Sequence, residues 1–366
     1  MTNPQLFLSF LRTAIDPQAV CESVPNPDTL LEWFHVAKHQ GVAGLLFEAF
    51  ELLPDEVRNT TYYRTQAKNK LMAAAYYMER DGQDALHKAA RLVASFDAAG
   101  IRTCVLKGQG NARLYPEMLR RQPGDIDLWV EGSRRATLRF LRGRCKVGDV
   151  VYHHCEAHIF DTPSVEVHFT PTWMFNPIDN ARLQRYFRRN ASAQFDNRIA
   201  ELGFSVPSHS FNAVFQMVHI YRHLFDEGMN LKQLVDYRFL LQRLDAVQRE
   251  EAYGELRHIG LGRFCGALMH VLGQTLSVPE GEMLCAPDSR RGEVVMAELM
   301  RSIEADAVST DDGQQPVASG EGFFHRVARK SRHRAKFLRC FPSEVLWAPL
   351  FKTWQFFWRL FNGYFA

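Results

Sequence analysis

The chain has 366 residues, 46% of them hydrophobic and 23% charged, with a formal net charge of +3. That balance supports a sizeable core divided into two or more domains and excludes a disordered or fibrous chain. No apolar run reaches the roughly 18 residues that a membrane-spanning helix needs, so the chain reads as soluble or at most membrane-associated.

Seven cysteines are scattered without a Cys-x-x-Cys pair, and Met1 is not followed by a charged-then-apolar leader. Both features point to a reducing, cytoplasmic compartment rather than to secretion. The charge is uneven: residues 321–366 hold nine Lys or Arg against two acids, a local +7, so the first 320 residues sum to −4.

Apolar residues at helical spacing predict helices near 6–11, 30–36 and 42–50, then a long one over 62–99 stopped by Gly100. The pattern then changes. Residues 101–106 are a short β-prone run, Lys107-Gly108-Gln109-Gly110 a turn, and 111–115 the start of a helix. A second strand is expected at 126–130, and Ser133 can cap a helix through Arg142. Further β-like segments fall at 150–152, 158–160 and 165–169. Ser208 or Ser210 can cap a helix over 211–225, Gly228 breaks it, and helix resumes over 231–244 and on to Ile303.

The expected organisation is therefore α+β: a small mixed sheet with flanking helices, preceded and followed by helical regions. Its expected parts are an N-terminal helical region (1–99), an α+β core (100–205), a helical domain completing a cleft (206–304), a small-residue polar linker (305–322) and a basic aromatic tail (323–366).

The segment richest in chemistry is Gly124-Asp125-Ile126-Asp127-Leu128. On a strand, Asp125 and Asp127 share one face while Ile126 and Leu128 face the core. Two carboxylates roughly 6–7 Å apart can bridge a pair of Mg²⁺ ions if a third acid arrives from a neighbouring strand. Glu166 in Val165-Glu166-Val167-His168 is the candidate, with His168 on its face. Three carboxylates repel one another unless cations join them, and amides at the turn after Lys107 are placed to grip phosphate oxygens.

Other groups carry weaker signals. His153, His154, Cys155 and His158 fit no standard zinc spacing, because His154, Glu156 and His158 would share one strand face while His153 and Cys155 take the other; a histidine near the substrate pocket is the better reading. His219 and His223, four apart on a helix, read as packing residues before metal ligands. Arg121 could bind phosphate or pair with Asp125 or Glu117, and Asp236 could touch a nucleotide or brace a helix.

Together these residues resemble the DNA polymerase β-like nucleotidyltransferase superfamily, in particular its bacterial branch of uncharacterised nucleotidyltransferase family proteins. The likeness lies in the Leu106-Lys107-Gly108 turn, Tyr115, Arg121, the Gly124–Leu128 segment, Glu166-Val167-His168, His219, His223 and the stretch from Leu231 to Asp236, and it covers most of residues 30–250. The resemblance implies transfer of a nucleoside monophosphate from an NTP, ATP foremost, to an acceptor hydroxyl of a protein, RNA, sugar or small molecule, with release of pyrophosphate. It implies that Asp125, Asp127 and Glu166 are catalytic and hold two Mg²⁺ (or Mn²⁺) ions, and that Lys107, Gly108, Gln109, Arg121, His168 and Asp236 bind the nucleotide. In one respect the chain departs from the pattern: Gly108 is followed by Gln109, where the superfamily has Ser or Gly. That departure motivates an alternative, a catalytically inactive nucleotide-binding sensor or scaffold of the same fold.

The tail, with Trp347, Trp354, Trp358 and many phenylalanines behind a basic run, reads in two ways. Its aromatics are the core of a last helical unit, or they form a surface for peripheral membrane or protein contact.

Overall fold

Asn3 and Asn26 each precede a proline, and each caps a helix: the Asn3 side chain accepts from the amides of Gln5 and Leu6, that of Asn26 from Thr29. Proline costs nothing at the first helical position, where its missing N–H would be unpaired anyway. The computed structural model describes residues 3–16, 18–63, 67–226, 228–308 and 323–364. Its first helices, Pro4–Arg12, Pro27–His39 and Ala43–Glu51, bury Phe7, Phe10, Trp33, Leu46 and Phe50 against one another. The long helix runs over Asn69–Asp97, beginning later than expected. Gly100, at φ +69°, follows it, and the Ile101 amide turns back to the Phe96 carbonyl (3.0 Å).

Five short strands form one mixed sheet: β1 (Thr103–Val105), β2 (Ile126–Val130), β3 (Lys146–Val150), β4 (His154–His158) and β5 (Val165–His168). Their order is β1-β2-β5-β4-β3, with β2 and β5 parallel and the other pairs antiparallel. Alternation sends Ile126, Leu128, Val130, Cys155, Ala157, Val165 and Val167 into a core with Leu92, Phe96, Leu138 and Leu141. Asp127, Trp129, His154, Glu166 and His168 are thereby left on the opposite face. The fold is the expected α+β one.

Two strands lie several residues before the positions read from sequence. β3 was expected at 150–152 and β4 at 158–160, yet they are Lys146–Val150 and His154–His158. β3 is an edge strand with exposed Lys146 and Asp149, so its charges hide it from a search for apolar alternation. A helix over Pro177–Asp196, capped by Asn176, was not foreseen; it is rich in Arg and Asn and buries only a narrow stripe that includes Leu183, Tyr186 and Phe187.

Helices follow over His209–Asp226, Leu231–Leu241, Ala246–His258, Gly262–Leu276 and Ser289–Val308. Capping boxes at Asn230/Gln233 and Asp245/Gln248 start the second and third. The last runs through 305–308, which the sequence assigned to a linker; the remainder of that segment, 309–322, lies outside the described residues. One apolar cluster links Phe7 to Phe225, Ile303 and Ala348, so the N- and C-terminal helices share a core. Gln40 ties them further, donating to Ser302 (3.0 Å) and Asp306 (2.6 Å) and accepting from the Leu231 amide (2.9 Å).

The tail comprises helices Phe323–Ala335 and Pro342–Phe361. It is clamped to the body by buried charge. Glu344, 1% exposed, accepts from the amides of Phe175 (2.7 Å) and Asn176 (3.2 Å) and from Arg222 (3.0 Å). Asp226 pairs with Arg222 and Arg334, both at 2.5 Å. Phe337, Phe341 and Ala348 are core residues, as one reading of the tail required, but most aromatics of the last helix remain exposed. Among the described residues no helix is long and apolar enough to cross a membrane.

Candidate active site

Parallel pairing of β2 with β5 sets Asp127 directly across from Glu166 and Trp129 across from His168. Neighbouring strands lie about 4.8 Å apart, so the two carboxylates meet on the face turned away from the sheet's own core. Asp125 stands one residue before β2, exposed, and accepts a short hydrogen bond from the Ser164 hydroxyl just before β5. The three acids singled out from sequence thus lie at one end of two adjacent strands.

Asp127 is 1% exposed, and a carboxylate so buried requires partners. Lys107 Nζ lies 3.1 Å and His168 Nε2 3.0 Å from its Oδ1; the same imidazole nitrogen is 3.4 Å from Glu166 Oε2. Burial alone would raise the Asp127 carboxyl, yet Lys107 and His168 bring it below its ordinary range. Glu166 is likewise lowered, burial being outweighed by the hydrogen bond from His168. For His168 and Lys107, burial opposes the charged form, but the carboxylates prevail and both are raised. Asp125 goes the other way: although the residue as a whole is exposed, partial desolvation of its carboxyl and the charges of Asp127 and Glu166 raise it despite the Ser164 bond.

Donor atoms of Asp127, Glu166 and His168 all lie within 4.8 Å of one another, a set of two carboxylates and one imidazole able to hold a divalent cation. His153, His154 and His168 are equally close together. The indole Nε1–H of Trp173, a donor only, points at His153 Nδ1 (2.6 Å), so a neutral His153 carries its proton on Nε2 and directs it to His154 Nδ1 (3.0 Å). His153 therefore orients His154 rather than offering a lone pair of its own. His154, 3.3 Å from Glu166, is pushed down to about 4 by burial and by His168.

Above the sheet face, helices His209–Asp226 and Leu231–Leu241 close a cleft with two lobes, of about 240 and 280 Å³, which share Lys107, Asp125, His219 and His223. Gly108 at the cleft floor has φ +59° and ψ −111°, and a Cβ there would stand 2.9 Å from the Asp125 carbonyl oxygen, so glycine is required. The helix that follows is a single turn, Gln109–Ala112, shorter and earlier than expected, which leaves little helix dipole for a phosphate.

Several residues assigned to the nucleotide have partners within the protein. Gln109 is buried and does not line the cleft; its Nε2 donates to the Gly124 carbonyl (3.4 Å). Arg121 pairs with neither Asp125 nor Glu117: its Nε and Nη2 grip the two oxygens of Asp236, each at 2.8 Å. Tyr115 (2.8 Å) and Asn111 (3.0 Å) donate to the same carboxylate. Arg121 and Asp236 thus form a buried brace in the cleft floor, joining three elements, with the Asp236 carboxylate fully hydrogen-bonded.

A family model described as uncharacterised nucleotidyltransferase matches residues 27–277. The chain belongs to this nucleotidyltransferase family. No curated protein and no solved structure gives a match. The family segment takes in the whole sheet, the cleft and both helices that roof it, and leaves out the tail.

Within this family member, the cleft contains groups to which sequence reasoning gave no role at a nucleotide. Lys232 is lowered to about 7 by burial and by Arg121. His219 is held neutral by burial and by Lys107, and its ring stands 4.4 Å from that of His223. Both histidines line the cleft instead of serving only to pack the helix. Lys232 carried one usable signal, a lone basic residue one helical turn before Asp236; Ser164 and Trp173 carried none.

Proposed function

We propose that the protein transfers a nucleoside monophosphate from an NTP, ATP foremost, to an acceptor hydroxyl, releasing pyrophosphate. The observation that carries this reading is the register of β2 and β5, which gathers Asp125, Asp127 and Glu166 at a cleft supplied with ammonium groups. Asp125, Asp127 and Glu166 would hold divalent cations, Mg²⁺ or Mn²⁺, with His168 close enough to share one. Such ions neutralise the triphosphate and polarise the reacting phosphoryl group.

The chain's own groups divide the remaining work. Gly108 lets the backbone approach a phosphate closely, and Lys107 and Lys232 offer ammonium donors from two sides of the cleft. Glu166, ionised at neutral pH, is the acid placed to take up the proton of an acceptor hydroxyl, with neutral His154 beside it, held in place by His153.

A second reading, nucleotide binding without transfer, draws on the contacts already made to Asp127. Lys107 and His168 neutralise it without any metal, and Gln109 supplies no hydroxyl at the turn. Incubation with each α-labelled NTP and a cell lysate, with Asp127→Asn in parallel, separates the two. Label transferred to a protein, RNA, sugar or small molecule by the wild type alone supports catalysis and identifies the acceptor class. ATP binding with no transfer from any NTP selects the sensor.

A further inference from the structure

The helix Pro342–Phe361 wears its polarity inside out. Its charged residues face the body: Glu344 is buried on Arg222, Lys352 points to Asp226 and Arg359 holds Asp149 at 2.8 Å. Its outward face carries Leu346 (62% exposed), Leu350 (59%), Trp354, Phe357, Leu360 and Phe361 (82%), at three- and four-residue spacings. A stripe of this kind on an otherwise polar surface marks a contact site.

We propose that this face lies in the interfacial layer of an anionic lipid membrane, with the helix parallel to the bilayer. The composition is that of an interfacial helix, with Trp and Phe at headgroup depth and Leu beside them. The charge is complementary: Arg332 and Arg339 stand exposed just before the helix, with Lys336 beside them at 3.3 Å from Glu298. The same positive charge opposes pairing this face with a second copy of itself.

A cavity continues the surface inward. Trp347, Leu350 and Trp354 wall one side of a groove of about 1150 Å³ whose other side is the helix Pro177–Asp196, and exposed Arg185 and Arg188 lie along it. Apolar walls beneath guanidinium groups suit the acyl chain and phosphate of one lipid drawn out of the layer. Nothing in this proposal depends on nucleotidyl transfer.

Sedimentation of the full chain with phosphatidylcholine vesicles, with and without phosphatidylglycerol, tests it. Binding at least about tenfold stronger to the anionic vesicles is expected, weakening as salt is raised, with tryptophan emission shifting to the blue. The combined variant Leu346→Glu, Leu350→Glu, Phe361→Glu should lose at least about tenfold in binding with an unchanged circular dichroism spectrum. If that variant misfolds, the lipid-composition and salt series on the wild type decide alone. Wild type that ignores the anionic lipid, or a folded triple variant that pellets like wild type, overturns the proposal. A dimer seen by light scattering without vesicle binding would also overturn it, assigning the face to a second copy.

Discussion

Asp127 and Asp236 are both buried carboxylates on the cleft, and they are satisfied in opposite ways. Asp236 receives four hydrogen bonds from Arg121, Tyr115 and Asn111, donors fixed on other elements and themselves buried. Asp127 is met by Lys107, on a long side chain, and by His168, which it shares with Glu166. A carboxylate saturated by rigid donors holds a fold together. One balanced by displaceable cations is ready to exchange them for a ligand's.

The largest effect expected from this contrast is on stability. Arg121→Ala leaves Asp236 buried and unpaired and should cost about 3–5 kcal/mol, read as a lowered urea midpoint. Asp127→Asn should move that midpoint far less. Equal losses for the two variants would erase the distinction between brace and site.

In activity the order reverses. Asp127→Asn should lower label transfer by at least about a hundredfold, and an Asp127→Asn protein as active as wild type would remove that residue from the chemistry. Gly108→Ala sharpens the same comparison. It places a Cβ 2.9 Å from the Asp125 carbonyl oxygen at a backbone angle that favours glycine, and should cost about 1–3 kcal/mol while weakening ATP binding, measured by calorimetry. Unchanged ATP affinity in the folded variant would exclude the turn from phosphate contact.

The smallest effect concerns pH. Lys232 has its folded pKa lowered to about 7, so the unfolded chain binds more protons than the folded one between pH 7 and its ordinary value near 10.5. Folding stability contributed by this group therefore rises with pH across that window and is least below 7. A phosphate near Lys232 favours the ammonium form, so ATP affinity should fall by up to about tenfold per pH unit above 7. Lys232→Met should flatten both profiles; a pH profile of ATP affinity identical to that of wild type would place the phosphates elsewhere.

Much of this was legible in the chain because strands alternate. Ile126, Leu128, Val165 and Val167 are apolar at every second place, and that alone turns Asp127, Glu166 and His168 to one face. What the alternation does not convey is partnership across long separations. Arg121 finds Asp236 through 115 positions of chain, and no local pattern distinguishes it from a phosphate-binding arginine. β3 was misplaced because an edge strand tolerates charge, and the helix Pro177–Asp196 was missed because its polar face outweighs its buried stripe. In the tail, aromatic content was plain, but whether those rings point in or out depends on which side bears Glu344 and its partner.

Arg222 and Asp226, which anchor the tail through Glu344 and Arg334, also line the lobe of the cleft that contains Glu166. The last helix is thus bolted to the wall of the cleft rather than hung from the end of the chain. Cutting the protein after residue 305 would take Glu344 from Arg222 and Arg334 from Asp226, leaving those two only each other, and loosen the cleft itself, so a shortened form that fails to bind ATP would report damage to the cleft as readily as loss of a surface.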